Sequence, residues 1–264
     1  MKLALAQLDV AWEEKSKNKD TALKFIEEAA KQNVDMILFP EMALTGFSMN
    51  TEAIGETNNE TKEFFRNLSS KFNIFIGFGY VEGIKDSKNK YSIVSPKGEK
   101  LLDYTKIHLF SFGAENEFYQ SGNEIKHFDA MDFNIVPFIC YDLRFPEIFQ
   151  MASKTASLIT IGANWPIERR EHWISLLKAR AIENQCYIAG INRVGEGNGL
   201  YYSGDSMIVD PLGNIISSLY MEEGLIVANI YRENVTKIRD SFRLKQDRRE
   251  SLYYDIKNTP SRNI

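Results

Sequence analysis

Three residues with reactive side chains each close a strand-like apolar run. Glu41 follows Met36-Ile37-Leu38-Phe39-Pro40, Lys106 follows Leu101 to Thr105, and Cys140 follows Ile135-Val136-Pro137-Phe138-Ile139. Strand ends in α/β sheets are where side chains from distant parts of a chain converge on one crevice. A thiol there can act as a nucleophile, a carboxylate can move protons, and an ammonium can stabilise developing negative charge. Taken singly, each also has a plainer reading: a solvated loop charge, or a small buried cysteine. What favours Cys140 is its surroundings. Asp142-Leu143-Arg144-Phe145-Pro146 follows directly, so the thiol sits on a tight turn into a helix, and a helix N-terminus promotes thiolate character. Cys186 lies inside an apolar strand-like stretch and reads as core.

Other chemistries lack their signatures. The histidines are His108, His127 and His172, none flanked by a recognisable partner, and there is no CxxC or HExxH to hold zinc. No GxGxxG follows a strand and no Walker-type loop is present, so no nucleotide or other cofactor is expected. Gly195-Glu196-Gly197-Asn198-Gly199 reads as a mobile loop rather than a phosphate cradle.

The elements that must position these residues alternate between periods of two and 3.6. Strands are predicted over Lys2 to Val10, Val34 to Phe39 and Ile74 to Val81, with helices over Thr21 to Lys31 and Glu60 to Phe72 between them. Tyr91 to Val94 and Leu101 to Tyr104 flank Pro96-Lys97-Gly98 as a hairpin. Further strands are predicted at Phe133 to Cys140, Leu158 to Gly162, Tyr187 to Asn192, Ser206 to Val209 and Leu225 to Ile230. Pro146 to Ser153 reads as a helix with proline in its first turn, and Glu171 to Gln185 as a second helix. Mixed βα units and hairpins imply an α/β fold with helices covering sheet layers.

Composition bounds the rest. The chain has 264 residues, 44% hydrophobic and 26% charged, with a formal net charge of −4. No linker or low-complexity stretch divides it, so residues 1–264 read as one domain, with 241–264 a polar, basic tail that wraps the outside or a partner subunit. The charge gives no reason to expect nucleic acid or an anionic membrane as partner. No apolar run approaches the ~20 residues of a membrane span. The N-terminus lacks a signal-peptide pattern, and two free thiols fit a cytoplasmic setting.

These segments together resemble the nitrilase superfamily of carbon–nitrogen hydrolases across nearly the whole chain. The glutamate motif resembles Phe39-Pro40-Glu41-Met42-Ala43-Leu44-Thr45-Gly46-Phe47, the lysine motif Tyr104-Thr105-Lys106-Ile107-His108, and the nucleophile motif Ile139-Cys140-Tyr141-Asp142-Leu143-Arg144-Phe145-Pro146-Glu147. Three motifs in order form a specific signal. The resemblance implies a four-layer α-β-β-α sandwich, commonly dimeric, with Cys140 as nucleophile, Glu41 as general base and acid, and Lys106 with the backbone N–H of Tyr141 at the oxyanion. A second glutamate is implied at Glu115, with Glu117 a nearby competitor.

Asn164-Trp165-Pro166 through Trp173, with Asn192-Arg193-Val194-Gly195, is similar to the omega-amidase branch, which deaminates 2-oxoglutaramate and 2-oxosuccinamate. Glu196-Gly197-Asn198-Gly199 departs from that branch by lacking an aspartate before its second glycine. A substrate ending in a carboxylate calls for an arginine, here Arg169 first and Arg144 second. Phe47, Asn164 and Trp165 are further implied substrate contacts, while Trp173 fits a helix-face core position. Other amide or N-carbamoyl hydrolases, and a catalytically silent binding subunit, are the competing readings.

Overall fold

The computed structural model describes residues 1–259. Its strands are β1 (Lys2–Gln7), β2 (Met36–Leu38), β3 (Phe75–Glu82), β4 (Lys88–Val94), β5 (Lys100–Thr105), β6 (Phe128–Ala130), β7 (Phe133–Ile139), β8 (Leu158–Ala163), β9 (Tyr187–Asn192), β10 (Val194–Gly197), β11 (Leu200–Val209), β12 (Ile215–Tyr220) and β13 (Gly224–Asn229). Its helices are α1 (Lys15–Lys31), α2 (Thr51–Ile54), α3 (Glu60–Phe72), α4 (Glu115–Phe118), α5 (Pro146–Ala152), α6 (Arg170–Asn184), α7 (Arg232–Ser241) and α8 (Glu250–Asn258). One sheet runs β13-β1-β2-β3-β4-β5; the other runs β10-β11-β9-β8-β7-β6, with β12 also paired to β11. The βα units give parallel pairs β1–β2, β2–β3, β7–β8 and β8–β9, and the hairpins give antiparallel pairs at the sheet margins.

The side-chain alternation of the strands explains the layering. In β1 and β2, Leu3, Leu5, Met36 and Leu38 point into a core shared with Ile135 and Leu158 of the second sheet. Their neighbours Ala4, Ala6 and Ile37 point the other way, onto Ala22, Ile26 and Ala29 of α1 and Phe65 and Leu68 of α3. Because successive side chains take opposite faces, a strand apolar at every position must be covered on both. Trp173, Leu177 and Ala181 of α6 and Phe149 of α5 cover the far face of the second sheet. The result is the expected α-β-β-α sandwich, and the facing sheet ends carry the site.

Several expected boundaries shift. Helix α1 begins at Lys15 rather than Thr21, because its polar first turns are tied down: Asn18 is buried and bonds the Ala11 N–H, the Ala11 carbonyl and the Leu44 carbonyl. Strand β1 stops at Gln7, and the chain beyond it meets the second sheet, where the Leu8 carbonyl accepts from the Val194 N–H at 2.8 Å. The expected mobile loop at Gly195–Gly199 is instead a hairpin of β10 and β11, turned by Asn198 and Gly199 at φ 52° and 72°. Asn-Gly with both residues left-handed is the favoured two-residue hairpin turn. Strand β12, short strand β6 and helices α2, α4, α7 and α8 were not anticipated. In the tail segment, Arg248 bonds Gln150 of α5 at 3.0 Å, and Gln185 bonds the Phe242 carbonyl at 2.8 Å. Residues 260–264 of that segment lie outside the described residues.

Candidate active site

Glu41 stands just past the end of β2, on a backbone that leaves ordinary geometry: Met42, the next residue, has φ 45°. Gly79 of β3 makes this possible, since a Cβ there would lie 2.6 Å from the Glu41 Cα and 2.5 Å from the Met42 nitrogen. Lys106 follows β5, and its N–H is held by the Asn89 carbonyl of β4 at 2.9 Å. Cys140 follows β7 with φ 42° and opens a 3-10 turn over Cys140–Arg144 that leads to α5, whose first residue is Pro146. A left-handed φ is uncommon for a residue with a side chain and costs about 1–3 kcal/mol. It turns the thiol out of the sheet, so Cys140 is partly exposed at the floor of a pocket.

Asp142 holds this elbow. Its buried carboxylate accepts from the Ile139 N–H at 3.1 Å and the Tyr104 hydroxyl at 2.8 Å on one oxygen. The other oxygen accepts from the His108 N–H at 2.9 Å and lies 2.8 Å from His108 Nδ1. Tyr104 and His108 flank Lys106, so one aspartate ties the cysteine turn to the lysine segment. This also supplies the partner for His108 that the sequence did not reveal.

The three reactive residues and Glu115 meet as follows. Lys106 Nζ lies 2.9 Å from Glu41 Oε1 and 3.0 and 2.9 Å from the two Glu115 oxygens. All three side chains are fully buried. Glu115 is further fixed by the Phe110 N–H at 2.6 Å, whereas Glu117 is exposed, which separates the two competitors geometrically. Asn164 links base and thiol: its N–H donates to Glu41 Oε2 at 3.0 Å, and its carbonyl lies 3.9 Å from Cys140 Sγ. The Phe47 ring lies 5.2 Å from Lys106 Nζ. Asn89 of β4, absent from the sequence reading, donates to both carboxylates, at 2.7 Å to Glu41 and 2.8 Å to Glu115.

Burial and charge set the protonation pattern. Burial opposes the Lys106 charge, but Glu115 and Glu41 outweigh it and hold the ammonium above its ordinary range. Burial pushes the Glu115 carboxyl up; Lys106 pulls it back only in part, and the Glu41 charge adds to the rise. Burial likewise pushes the Cys140 thiol up, reinforced by Glu41 and opposed by Lys106. Burial and the Glu41 charge thus favour the neutral form of the resting thiol. Cys186 is free, fully buried and pushed up to about 11 by its burial, away from the pocket.

The pocket above Cys140 has a volume of about 400 Å³. Tyr141, Asn164, Trp165 and Phe47 line it, and so do both Arg144 and Arg169. Among the described residues neither arginine is ion-paired with a carboxylate. Arg144 lies 4.7 Å over the Trp165 ring, and Arg169 lies 5.6 Å over the Phe110 ring. Burial, then the Arg169 charge, draws the Arg144 guanidinium below its ordinary range, as expected for two cations facing one space. Trp165 is braced by its indole N–H to the Arg169 carbonyl at 2.7 Å. Trp173 is in the core, bonded to the Asp205 carbonyl at 2.8 Å. Trp12, Glu13 and Tyr202 are among its further lining residues and were not anticipated, while Asn198 and Leu200 bring the β10–β11 hairpin to the wall. Only the Asn-Gly turn signal could have placed that hairpin; nothing local marks Trp12 or Tyr202. Among the described residues no group of three or more His, Cys, Asp or Glu is arranged to hold a metal ion, and no helix is long and apolar enough to cross a membrane.

The family model described as "Carbon-nitrogen hydrolase" matches residues 2–240. The chain is 32% identical over 256 residues to the 2-oxoglutaramate amidase of Bacillus subtilis, covering 95% of this chain and 98% of that protein. It is 35% identical over 254 residues to the omega-amidase YafV of Yersinia enterocolitica, covering 91% and 96%. Among solved structures it is similar to XC1258 of Xanthomonas campestris, a CN-hydrolase superfamily protein described with an arsenic adduct in its active site. That likeness has a TM-score of 0.89 at 29% identity, covering 94% of this chain and 97% of that one.

Proposed function

Because the chain belongs to the carbon–nitrogen hydrolase family and is an amidohydrolase of its omega-amidase-like branch, we propose that it releases ammonia from the terminal amide of 2-oxoglutaramate or 2-oxosuccinamate. The observation that carries this reading is one pocket with a thiol at its floor and, in its wall, two arginines without carboxylate partners among the described residues. An amide at the thiol and a carboxylate at the guanidinium groups is the substrate such a pocket suits, since the planar fork of arginine pairs with carboxylate in bidentate fashion.

In this mechanism Cys140 Sγ attacks the amide carbon while Glu41 takes the thiol proton. The new tetrahedral oxyanion is stabilised by the Lys106 ammonium and the Tyr141 N–H. Such donors each contribute about 2.7–4 kcal/mol to the transition state. Glu41 then gives its proton to the departing nitrogen, the C–N bond breaks, and ammonia leaves a thioester on Cys140. A water molecule, deprotonated by Glu41, attacks the thioester; the C–S bond breaks, the acyl group leaves as the carboxylic acid, and Glu41 returns the proton to the Cys140 sulfur. Splitting a hard displacement into two easier ones is the purpose of the covalent step. Glu115 positions Lys106, and the neutral resting thiol agrees with a base that acts only as attack begins.

We further read the protein as cytoplasmic, in keeping with its two free thiols. We also read it as a homodimer whose C-terminal segment meets the partner. Exposed Tyr254 and Ile256 on α8, 70% and 63% accessible, support the second point. Ammonia release from 2-oxoglutaramate by the wild type and Cys140→Ala tests the central reading. Release that disappears in the variant is expected. No release by the wild type refutes the substrate, and carbon dioxide released with ammonia from a carbamoyl compound favours a carbamoyl hydrolase instead.

A further inference from the structure

Among the described residues, Asn89 contributes the one neutral side chain that hydrogen-bonds both carboxylates of the site. Its amide nitrogen lies 2.7 Å from Glu41 Oε1 and 2.8 Å from Glu115 Oε1, the same two oxygens that Lys106 Nζ meets at 2.9 and 3.0 Å. The four groups close a ring of alternating donors and acceptors. An NH₂ has two N–H bonds, so one goes to each carboxylate. The amide oxygen of Asn89 is buried without a partner, so its donors alone orient the group. Turning the amide over would set that oxygen against both carboxylates. The backbone is engaged too, since the Asn89 carbonyl holds the Lys106 N–H at 2.9 Å.

We propose that Asn89 is a positioning residue for the reaction, fixing Glu41 and Glu115 on either side of Lys106 by giving one N–H to each. The inference rests on the proposed roles of Glu41 and Lys106. Its physical basis is charge balance. Two carboxylates and one ammonium leave the buried site one negative charge in excess, and two close carboxylates readily share a proton. A proton held between them would leave Glu41 unable to receive the one from Cys140. Hydrogen bonds donated to the charged forms oppose this. The titratable groups facing the pair are Lys106 after β5, Cys140 after β7, Tyr119 after α4 and Tyr202 of β11. Asn89 does not line the pocket, so its effect falls on chemistry rather than on binding.

The test follows the infrared carbonyl stretch of protonated buried carboxyl against pH in the wild type, Asn89→Leu and the smaller Asn89→Ala, with Glu115→Gln to identify the band. Both Asn89 variants are expected to keep the band to a pH on the order of one unit higher than the wild type. On the amide substrate, kcat falls about tenfold while KM stays within about twofold. Folded variants whose band titrates at the wild-type pH would overturn the proposal, because a merely structural role lowers stability without moving that titration. The infrared reading needs no substrate. Absence of ammonia release by the wild type therefore counts against the proposed activity, and an unmoved titration counts against Asn89.

Discussion

Removing the Lys106 charge is the most informative perturbation. In Lys106→Met the two fully buried carboxylates, each about 3 Å from Nζ in the native site, lose their counter-ion together. The local charge changes from one negative to two, in a place where water cannot screen it. Removing one partner of a buried pair destabilises by about 3–5 kcal/mol, and that is the expected loss in urea unfolding. Activity loses the oxyanion donor in addition, about 10²–10³ in kcat. The two effects separate in Lys106→Met/Glu115→Gln, where one negative charge is removed as well. Most of the lost stability returns there, while kcat stays low. The single variant also gains stability on acidification: carboxyls raised in the folded state hold protons the unfolded chain has released, so stability falls as pH rises through the folded value. A loss under about 1 kcal/mol, or a double variant no more stable than the single, would refute the argument that charge balance holds this site together.

Three further outcomes follow. Glu115 is raised in the folded protein by burial, so its contribution makes wild-type stability fall as pH climbs from its ordinary value through its folded one; Glu115→Gln should flatten that part of the stability profile, measured by denaturant unfolding across pH. Gly79→Ala sets a Cβ within 2.6 Å of the Glu41 backbone, so kcat should fall at least tenfold and unfolding should shift by about 1–3 kcal/mol, with an unchanged kcat contradicting the close approach. Arg144→Met and Arg169→Met should each raise KM for 2-oxoglutaramate more than for an uncharged aliphatic amide, by about tenfold if the lost hydrogen bond to the carboxylate is worth ~1.4 kcal/mol; equal effects on both substrates would count against carboxylate binding.

How much of the site was legible in the sequence depends on how local its signals are. Glu41, Lys106 and Cys140 each follow an apolar run, but that one-dimensional pattern is weak for any one of them, and it was the resemblance of their three motifs, in order, to the family's that singled them out. Glu115 was harder to fix. Glu117 carries the same chemistry two residues away, and only the turn of α4 decides which of them is buried against Lys106. Helix α1 hid its first turns because their stability comes from Asn18 reaching the Leu44 carbonyl, a contact 26 residues away.

By itself, the order of the segments determined the alternation of strands and helices, the strand-end position of the three reactive residues and the elbow at Cys140. Those follow from side-chain periodicity and from residues adjacent in the chain. The tertiary structure alone decided which groups share the site. Asn89 bridges two carboxylates because β4 runs antiparallel between β3 and β5. Asp142 couples the thiol turn to the lysine segment across the two facing sheets. Trp12, Asn198 and Tyr202 wall the pocket from segments far apart in the chain. Such contacts depend on strand order and sheet packing, which no local pattern of residues encodes.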